Sequence, residues 1–449
     1  MRGVHTVQGN PDLSAGLLDT SFVSVRRAAF AATIGNMLEF YDFVTYAFFA
    51  IQIGHTFFPA QSEYGSLMLS LATFGAGFIT RPIGGVVLGI YSDRIGRRPA
   101  MLLSFALMGS AIIVIAITPS YETIGLAAPI IVIVARMLQG FALGGEVGPT
   151  TAYLLEIAPP ERRALVVSLQ PTSQEIAATA GALVGFILSE IMTPAELDSY
   201  GWRIAFLIGA LALPFGLWMR RTLPETITPA ERGARHADES GHFGLARRHR
   251  RVILLALMIL ASGTISTYVT QYMTTYAQNT LHIAQSVAFA TSLVSNGLQI
   301  IGALLGGWLA DRYGRKPIMI VPQLIVLLLT YPAFLWIVGA PGGWSLLFGF
   351  GLLSLISSLP FTAFYATFTE ALPQQIRGGV FATVYAVAIA SFGGTAQLVV
   401  TWLLHITGNP LAPAWYLLLA AAVGLLAMAL MPETAPVKVG KDARQRPQP

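Results

Sequence analysis

Six ionisable residues interrupt otherwise apolar runs in the first half of the chain: Glu39, Asp42, Arg81, Arg136, Glu146 and Glu175. If those runs lie in hydrocarbon, each charge costs roughly 2.5–3.5 kcal/mol at a helix centre, so each is expected to be paired or to do work. Arginine stays protonated and presents a planar fork that fits a carboxylate. Arg81 is therefore read as an anchor for an organic anion, the alternative being an ion pair with Asp42 or Glu39. Arg136 is open to two readings, contact with a bound anion or salt-bridge switching on one side, a structural pair on the other. Glu39 and Asp42 stand three residues apart, on one helix face, where two carboxylates in a low dielectric favour sharing a proton. Glu146, after Gly144-Gly145, is a second candidate for holding one.

Uncharged hydrogen bonders complete the set. Gln139 follows Arg136 by three residues, and Gln170, Ser173 and Gln174 lie together in the fifth apolar run, suited to a polar ligand or to bonds between helices. The runs of the second half carry no Asp, Glu, Lys or Arg until their ends, but contain Tyr268, Gln271, Tyr272, Asn296 and Tyr385. Tyr268 and Tyr272 fall one helical turn apart beside Gln271, which suggests the wall of a cavity, or anchors at a membrane interface. Gly140, Gly144 and Gly148 recur every fourth residue, a spacing that favours close helix packing over a ligand cradle. There is no cysteine, and the seven histidines show no ligand spacing. With no nucleophile–base or metal constellation, neither an enzyme nor a cofactor or metal is expected.

The elements that must hold these residues are membrane helices. Of 449 residues, 54% are hydrophobic and only 11% charged, against about 25% charged in a soluble domain. Twelve apolar runs, each near the ~20 residues that cross a bilayer, follow one another between residues 27 and 431. Every second loop is basic: Asp93 to Arg98, Glu161 to Arg163, Arg220 to Arg251, Asp311 to Lys316, and the tail from Lys438. The loops between them contain no Lys or Arg. This alternation predicts an even number of spans with both termini in the cytoplasm; the expected location is the inner membrane of a bacterium. It also explains the net charge of +5 without nucleic acid. The N-terminus has no apolar signal region, so the first span is expected to direct insertion. The expected division is a tail at 1–24, a six-helix bundle at 25–221, a cytoplasmic linker at 222–250, a second bundle at 251–432 and a tail at 433–449. A monomer is expected.

The two bundles are copies. Gly89-Ile90-Tyr91-Ser92-Asp93-Arg94-Ile95-Gly96-Arg97-Arg98-Pro99 returns 218 positions later as Gly307-Trp308-Leu309-Ala310-Asp311-Arg312-Tyr313-Gly314-Arg315-Lys316-Pro317. Glu156 recurs as Glu370, and Leu223-Pro224-Glu225-Thr226 as Met431-Pro432-Glu433-Thr434. Parallel six-span repeats with a site between them near the midplane are a transporter architecture.

The repeated G-x-x-x-D-R-x-G-R-[RK] loop resembles the signature of the major facilitator superfamily, as does Arg136-Met137-Leu138-Gln139-Gly140 with Gly144-Gly145-Glu146. The run from Gly35 to Phe43 and Arg81-Pro82-Ile83-Gly84 resemble its metabolite:proton symporter family. Gly75 to Arg98, Ser391-Phe392-Gly393-Gly394 and Trp415 are similar to the citrate and tricarballylate branch. The resemblance implies an all-α major facilitator fold of twelve transmembrane helices in two pseudo-symmetric bundles. It implies import of a small di- or tricarboxylate with protons by alternating access, with osmolyte (betaine or proline) and shikimate carriers as alternatives in the same family. The short C-terminal tail lacks the coiled-coil heptads of osmolyte members. The resemblance further implies that Gly89, Asp93, Arg94, Arg97, Glu156, Asp311, Arg312, Arg315 and Glu370 switch conformation rather than bind substrate.

Overall fold

The computed structural model describes residues 33, 36–37, 40–95, 97–144, 147–222 and 239–439. Glu39, Glu146, the whole N-terminal tail, most of the linker and the end of the C-terminal tail lie outside the described residues. Twelve helical passes are found among those described. Span one covers 40–57. Span two joins Glu63–Ile79 to Arg81–Ile95, and span three is Arg97–Ile117. Span four joins Ala127–Leu143 to Val147–Ile157, span five joins Arg163–Val167 to Leu169–Ile191, and span six is Trp202–Thr222. Spans seven, eight and nine are Arg250–Asn279, Gln285–Tyr313 and Arg315–Gly339. Span ten is Gly351–Glu370, span eleven joins Gln374–Ala388 to Gly394–Thr407, and span twelve is Ala412–Leu430. Eight of the helical stretches are long and apolar enough to cross a membrane. Large apolar side chains such as Leu211, Ile117 and Leu328 face outward, as a lipid-facing surface requires.

Local breaks in these helices bear on the site. Span two is interrupted at Thr80. Pro82 has no N–H to return to the preceding turn, and the Thr80 hydroxyl donates instead to the Gly77 carbonyl at 3.1 Å and to the Met137 carbonyl of span four at 2.6 Å. The break puts Arg81 at the start of a new helix segment, buried against span four. Spans two and four pack backbone to backbone: a Cβ at Gly77 would meet the Arg136 carbonyl, and one at Gly144 the Arg81 carbonyl. In span eleven, Ile389–Gly393 forms a single wide π-turn, a distortion frequent at functional sites. Just after it, Gly394 meets Gly75 of span two across the halves; a Cβ on Gly75 would lie 2.6 Å from the Gly394 carbonyl oxygen.

The two bundles meet mainly through span five against span eight and span eleven against spans two and four. The linker contains a helix, Glu239–Arg248, which the sequence reading did not anticipate. It rests on the start of span eleven through Leu245 and Ala246.

Candidate functional site

Arg81 and Arg136 both stack on one small aromatic cluster and share the Phe43 ring. The Arg81 guanidinium carbon lies 4.6 Å from the Phe43 ring centre and 4.8 Å from Phe78. Arg136 lies 4.7 Å from Phe43, 4.5 Å from Tyr46 and 5.0 Å from Phe74. Desolvated cation–π contacts contribute about 2 kcal/mol each, enough to hold two guanidinium groups near one another but not to neutralise them. Arg136 donates to Gln139 Oε1 at 2.6 Å, leaving its Nε and Nη2 without partners, as are Nε and Nη2 of Arg81. A buried charged donor left unmet costs more than the ~1–3 kcal/mol of a neutral one. Two guanidinium groups are thus buried close together with four unmet donor nitrogens.

Of the two carboxylates given as alternative ion-pair partners of Arg81, Asp42 is the one within the described residues. Asp42 packs its Oδ1 into the space left by Gly209 of span six and interacts electrostatically with Arg136. Among the described residues, no carboxylate lies within ion-pair distance of Arg81. Its neighbour from the other half is Tyr268, whose hydroxyl is within hydrogen-bonding reach and whose ring lies 5.3 Å from Phe78 edge-on.

Tyr268 also lines a central cavity of about 90 Å³ between the bundles. Gln174 and Glu175 of span five, Gln271 of span seven, Gln299 of span eight, Tyr365 of span ten and Tyr385 of span eleven share its wall. Gln174 Nε2 reaches the Tyr385 hydroxyl at 3.5 Å across the halves. Of the residues proposed for substrate, this wall brings together Gln174, Tyr268, Gln271 and Tyr385. Arg81 and Arg136, with Gln139, sit behind the Tyr268–Phe43–Phe78 layer. Ser173 accepts from Asn36 Nδ2 at 2.8 Å, a bond between spans five and one, while the adjacent Gln170 side-chain amide has no partner. Tyr272 does not share the cavity with Tyr268: it accepts from Thr401 of span eleven at 2.9 Å, because the turn between them carries it past the cavity's end. Asn296 accepts from Gln299 at 3.3 Å and lies off the cavity wall. A smaller chamber of about 30 Å³ inside the second bundle, lined by Ser262, Thr270, Gln323 and Ser354, has no charged group.

Glu175 and the aromatic cluster of Phe43, Phe74 and Phe78 are site features to which the sequence reading gave no role. Glu175 stood out as an ionisable residue in a span; the phenylalanines look like ordinary core.

At the basic face a second cluster joins the halves. Asp311 accepts the backbone N–H groups of Ala164 and Leu165, at the start of span five, at 3.0 and 2.9 Å. A helix N-terminus presents unpaired N–H groups and a partial positive charge there. Gly307, one turn earlier, lets the helices meet; a Cβ there would lie 2.9 Å from the Ala164 carbonyl oxygen. Arg315 is fully buried, 2.7 Å from Asp311 and 3.1 Å from Glu370. Glu433 accepts the Arg315 and Lys316 N–H groups, each at 3.0 Å, and Thr434 donates to Glu370 at 2.7 Å. Gly314, at φ 103°, makes the turn before Arg315. The Pro-Glu-Thr repeat was the signal that could have found Glu433 and Thr434. Arg312 is exposed over Trp308, and Glu156 is exposed within electrostatic reach of Arg377. The side chains of Gly89, Asp93, Arg94 and Arg97 lie outside the described residues.

At the opposite face, Tyr64 of span two stacks on His405 of span eleven with centroids 3.7 Å apart and planes at 12°. Contacts between the halves thus lie at both faces, with the cavity between them.

Two six-helix bundles of one pattern, with a cavity between them lined by polar side chains from both, define a membrane carrier that works by alternating access. The chain belongs to the Major Facilitator Superfamily, whose profile matches residues 32–298 and 284–449. It is 37% identical to the citrate-proton symporter of Klebsiella pneumoniae, over 89% of this chain and 90% of that protein. It is 33% identical to the alpha-ketoglutarate permease of Escherichia coli K12, over 89% of this chain and 92% of that protein. Among solved structures, a D-xylose-proton symporter superposes with a TM-score of 0.71 at 19% identity, covering 91% of this chain and 97% of that one.

Proposed function

We propose that this chain is a proton-coupled symporter that brings a citrate-like di- or tricarboxylate into a bacterial cell across the inner membrane, with its basic face and both termini in the cytoplasm. The observation that carries this reading is the pair of buried guanidinium groups, Arg81 and Arg136, with four nitrogen atoms lacking partners. A substrate with several carboxylates, entering the cavity beside Tyr268, draws Arg81 toward it and gives these donors an acceptor. Gln174, Gln271 and Tyr385 supply neutral hydrogen bonds to the rest of the molecule. The relatives named for citrate and alpha-ketoglutarate transport support a carboxylate. Asp42, buried beside Gly209 and coupled electrostatically to Arg136, is a proton site whose state is felt by the anion anchor. Glu39 and Glu146 are further candidates.

The test is uptake of radiolabelled citrate, tricarballylate and 2-oxoglutarate into proteoliposomes under an imposed inward proton gradient. Proton-dependent uptake of at least one acid, abolished in Arg81→Ala, is the expected result. Uptake of betaine or shikimate with none of the acids would overturn the substrate class while leaving the fold intact.

A further inference from the structure

Glu175 is a carboxylic acid in the wall of the central cavity, in the company of neutral groups only. No Lys, Arg or His lines that cavity, and no cation among the described residues is within ion-pair distance of Glu175. The titratable groups that share this wall with it are Tyr268 of span seven, Tyr365 of span ten and Tyr385 of span eleven, among neutral residues that include Gln271 of span seven and Gln299 of span eight. Asp42, on span one, turns away to Gly209. Arg81 lies behind the cavity wall, within electrostatic reach of Tyr268 and Tyr385. An anion binding in this space meets a group whose charge decides whether it is welcome. As a carboxylate, Glu175 repels the anion at short range in a low dielectric. As a neutral acid, it offers a hydrogen-bond donor to a substrate carboxylate.

We propose that Glu175 carries a proton together with the substrate, presenting it as a hydrogen bond to a substrate carboxylate within the cavity. This rests on the carboxylate reading above and identifies the group at which proton and substrate meet. The proton enters from the water outside when that face is open and stays on the Glu175 oxygen while both faces are closed. It leaves to the cytoplasm after the substrate departs, so the residue is unchanged after each cycle. The coupling is reciprocal: the proton promotes anion binding by the same factor that the anion promotes protonation. Asp42, walled off from the cavity, has no such direct contact.

The experiment compares wild type, Glu175→Gln and Glu175→Asp in proteoliposomes, with citrate, tricarballylate and 2-oxoglutarate as the probes. The amide keeps the shape and a donor but has no proton to lose. Glu175→Gln is expected to keep substrate counterflow and to hold its affinity as pH rises from about 6 to about 8.5, where wild type weakens about tenfold further than titration of the substrate accounts for. It is also expected to lose accumulation driven by the proton gradient, which Glu175→Asp restores in part. Wild-type pH dependence and accumulation in Glu175→Gln would overturn the proposal, as would equal loss of binding at every pH in both variants. If the wild type itself takes up none of the three acids, the substrate reading above fails instead.

Discussion

The Asp311 carboxylate of the second bundle accepts the Ala164 amide of the first at 3.0 Å, and the neighbouring Leu165 amide at 2.9 Å. The same carboxylate holds Arg315, which in turn holds Glu370. One side chain thus joins the halves at the basic face and links that contact to the ends of spans nine and ten. Opening this face must separate Asp311 from span five, leaving both amides to water. Charge-assisted hydrogen bonds of this type contribute about 1.5–3 kcal/mol each. Asp311→Asn keeps the size and weakens the latch. It is expected to raise the population open at the basic face about tenfold or more. The chain has no cysteine, so a single Thr264→Cys in the cavity wall reports this directly. Labelling by a membrane-impermeant maleimide from the basic side should accelerate in Asp311→Asn; an unchanged rate would show that Asp311 is not the latch.

Arg81 and Arg136 differ from lysine in the fork and the flat face that they present to Phe43. Arg81→Lys keeps the charge but loses the second donor and most of the stacking. KM for the accepted carboxylate is expected to rise roughly tenfold or more, with the maximal rate changing less, because the loss falls on binding. Substrate-induced thermal stabilisation should shrink in parallel. A lysine variant with wild-type KM would place the anion elsewhere.

Much of this arrangement was legible in the residues. Apolar runs and alternating basic loops define the spans, and the Gly89–Pro99 repeat at Gly307–Pro317 pointed to the latch. Arg81 and Arg136 stood out because charge is costly in hydrocarbon. Their setting did not. Phe43, Phe74 and Phe78 are indistinguishable by type from lipid-facing phenylalanines, and only the packing of spans one, two and four puts Phe43 beneath both guanidinium groups, Phe78 beneath Arg81 and Phe74 beneath Arg136. Asp42 was readable as a partner for arginine, yet which arginine depends on helix rotation, and Gly209 on span six decides it. Tyr268 and Tyr272 share a helix face in sequence; only one reaches the cavity. Contacts between halves, such as Gly75 with Gly394, depend on two segments more than 300 residues apart and leave no local periodicity to read.

Gly75 and Gly394 make a test of that contact. A methyl group at Gly75 would lie 2.6 Å from the Gly394 carbonyl oxygen, a backbone atom that cannot swing aside. Gly75→Ala therefore forces spans two and eleven apart on the side away from the basic loops. Closure on that side is expected to fail, lowering the transport rate about tenfold while the protein still inserts and elutes as a single species. Gly297→Ala, where a methyl group meets only open space, is the control and should transport normally. Wild-type rates in Gly75→Ala would mean that the close approach is not needed for the cycle.

His55, exposed in the last turn of the first helix and beyond its apolar run, lies 3.2 Å from Asp198 in the turn between spans five and six. The hydrogen bond with Asp198 raises the affinity of the imidazole for its proton above the ordinary value, against the opposing effect of partial burial. A histidine whose folded pKa is raised stabilises the fold fully below its unfolded pKa, and that contribution fades as pH rises through the folded pKa. Both side chains are about 40% exposed, 43% and 38%, so solvent screening keeps the pair within about 1 kcal/mol. Asp198→Asn is therefore expected to lower the melting temperature by roughly 1–3 °C below about pH 6 and to have little effect above about pH 8. Melting curves of both proteins at the two pH values, at high and low salt, check this. A loss of equal size at both pH values would assign Asp198 a role in the turn itself rather than in pairing with His55.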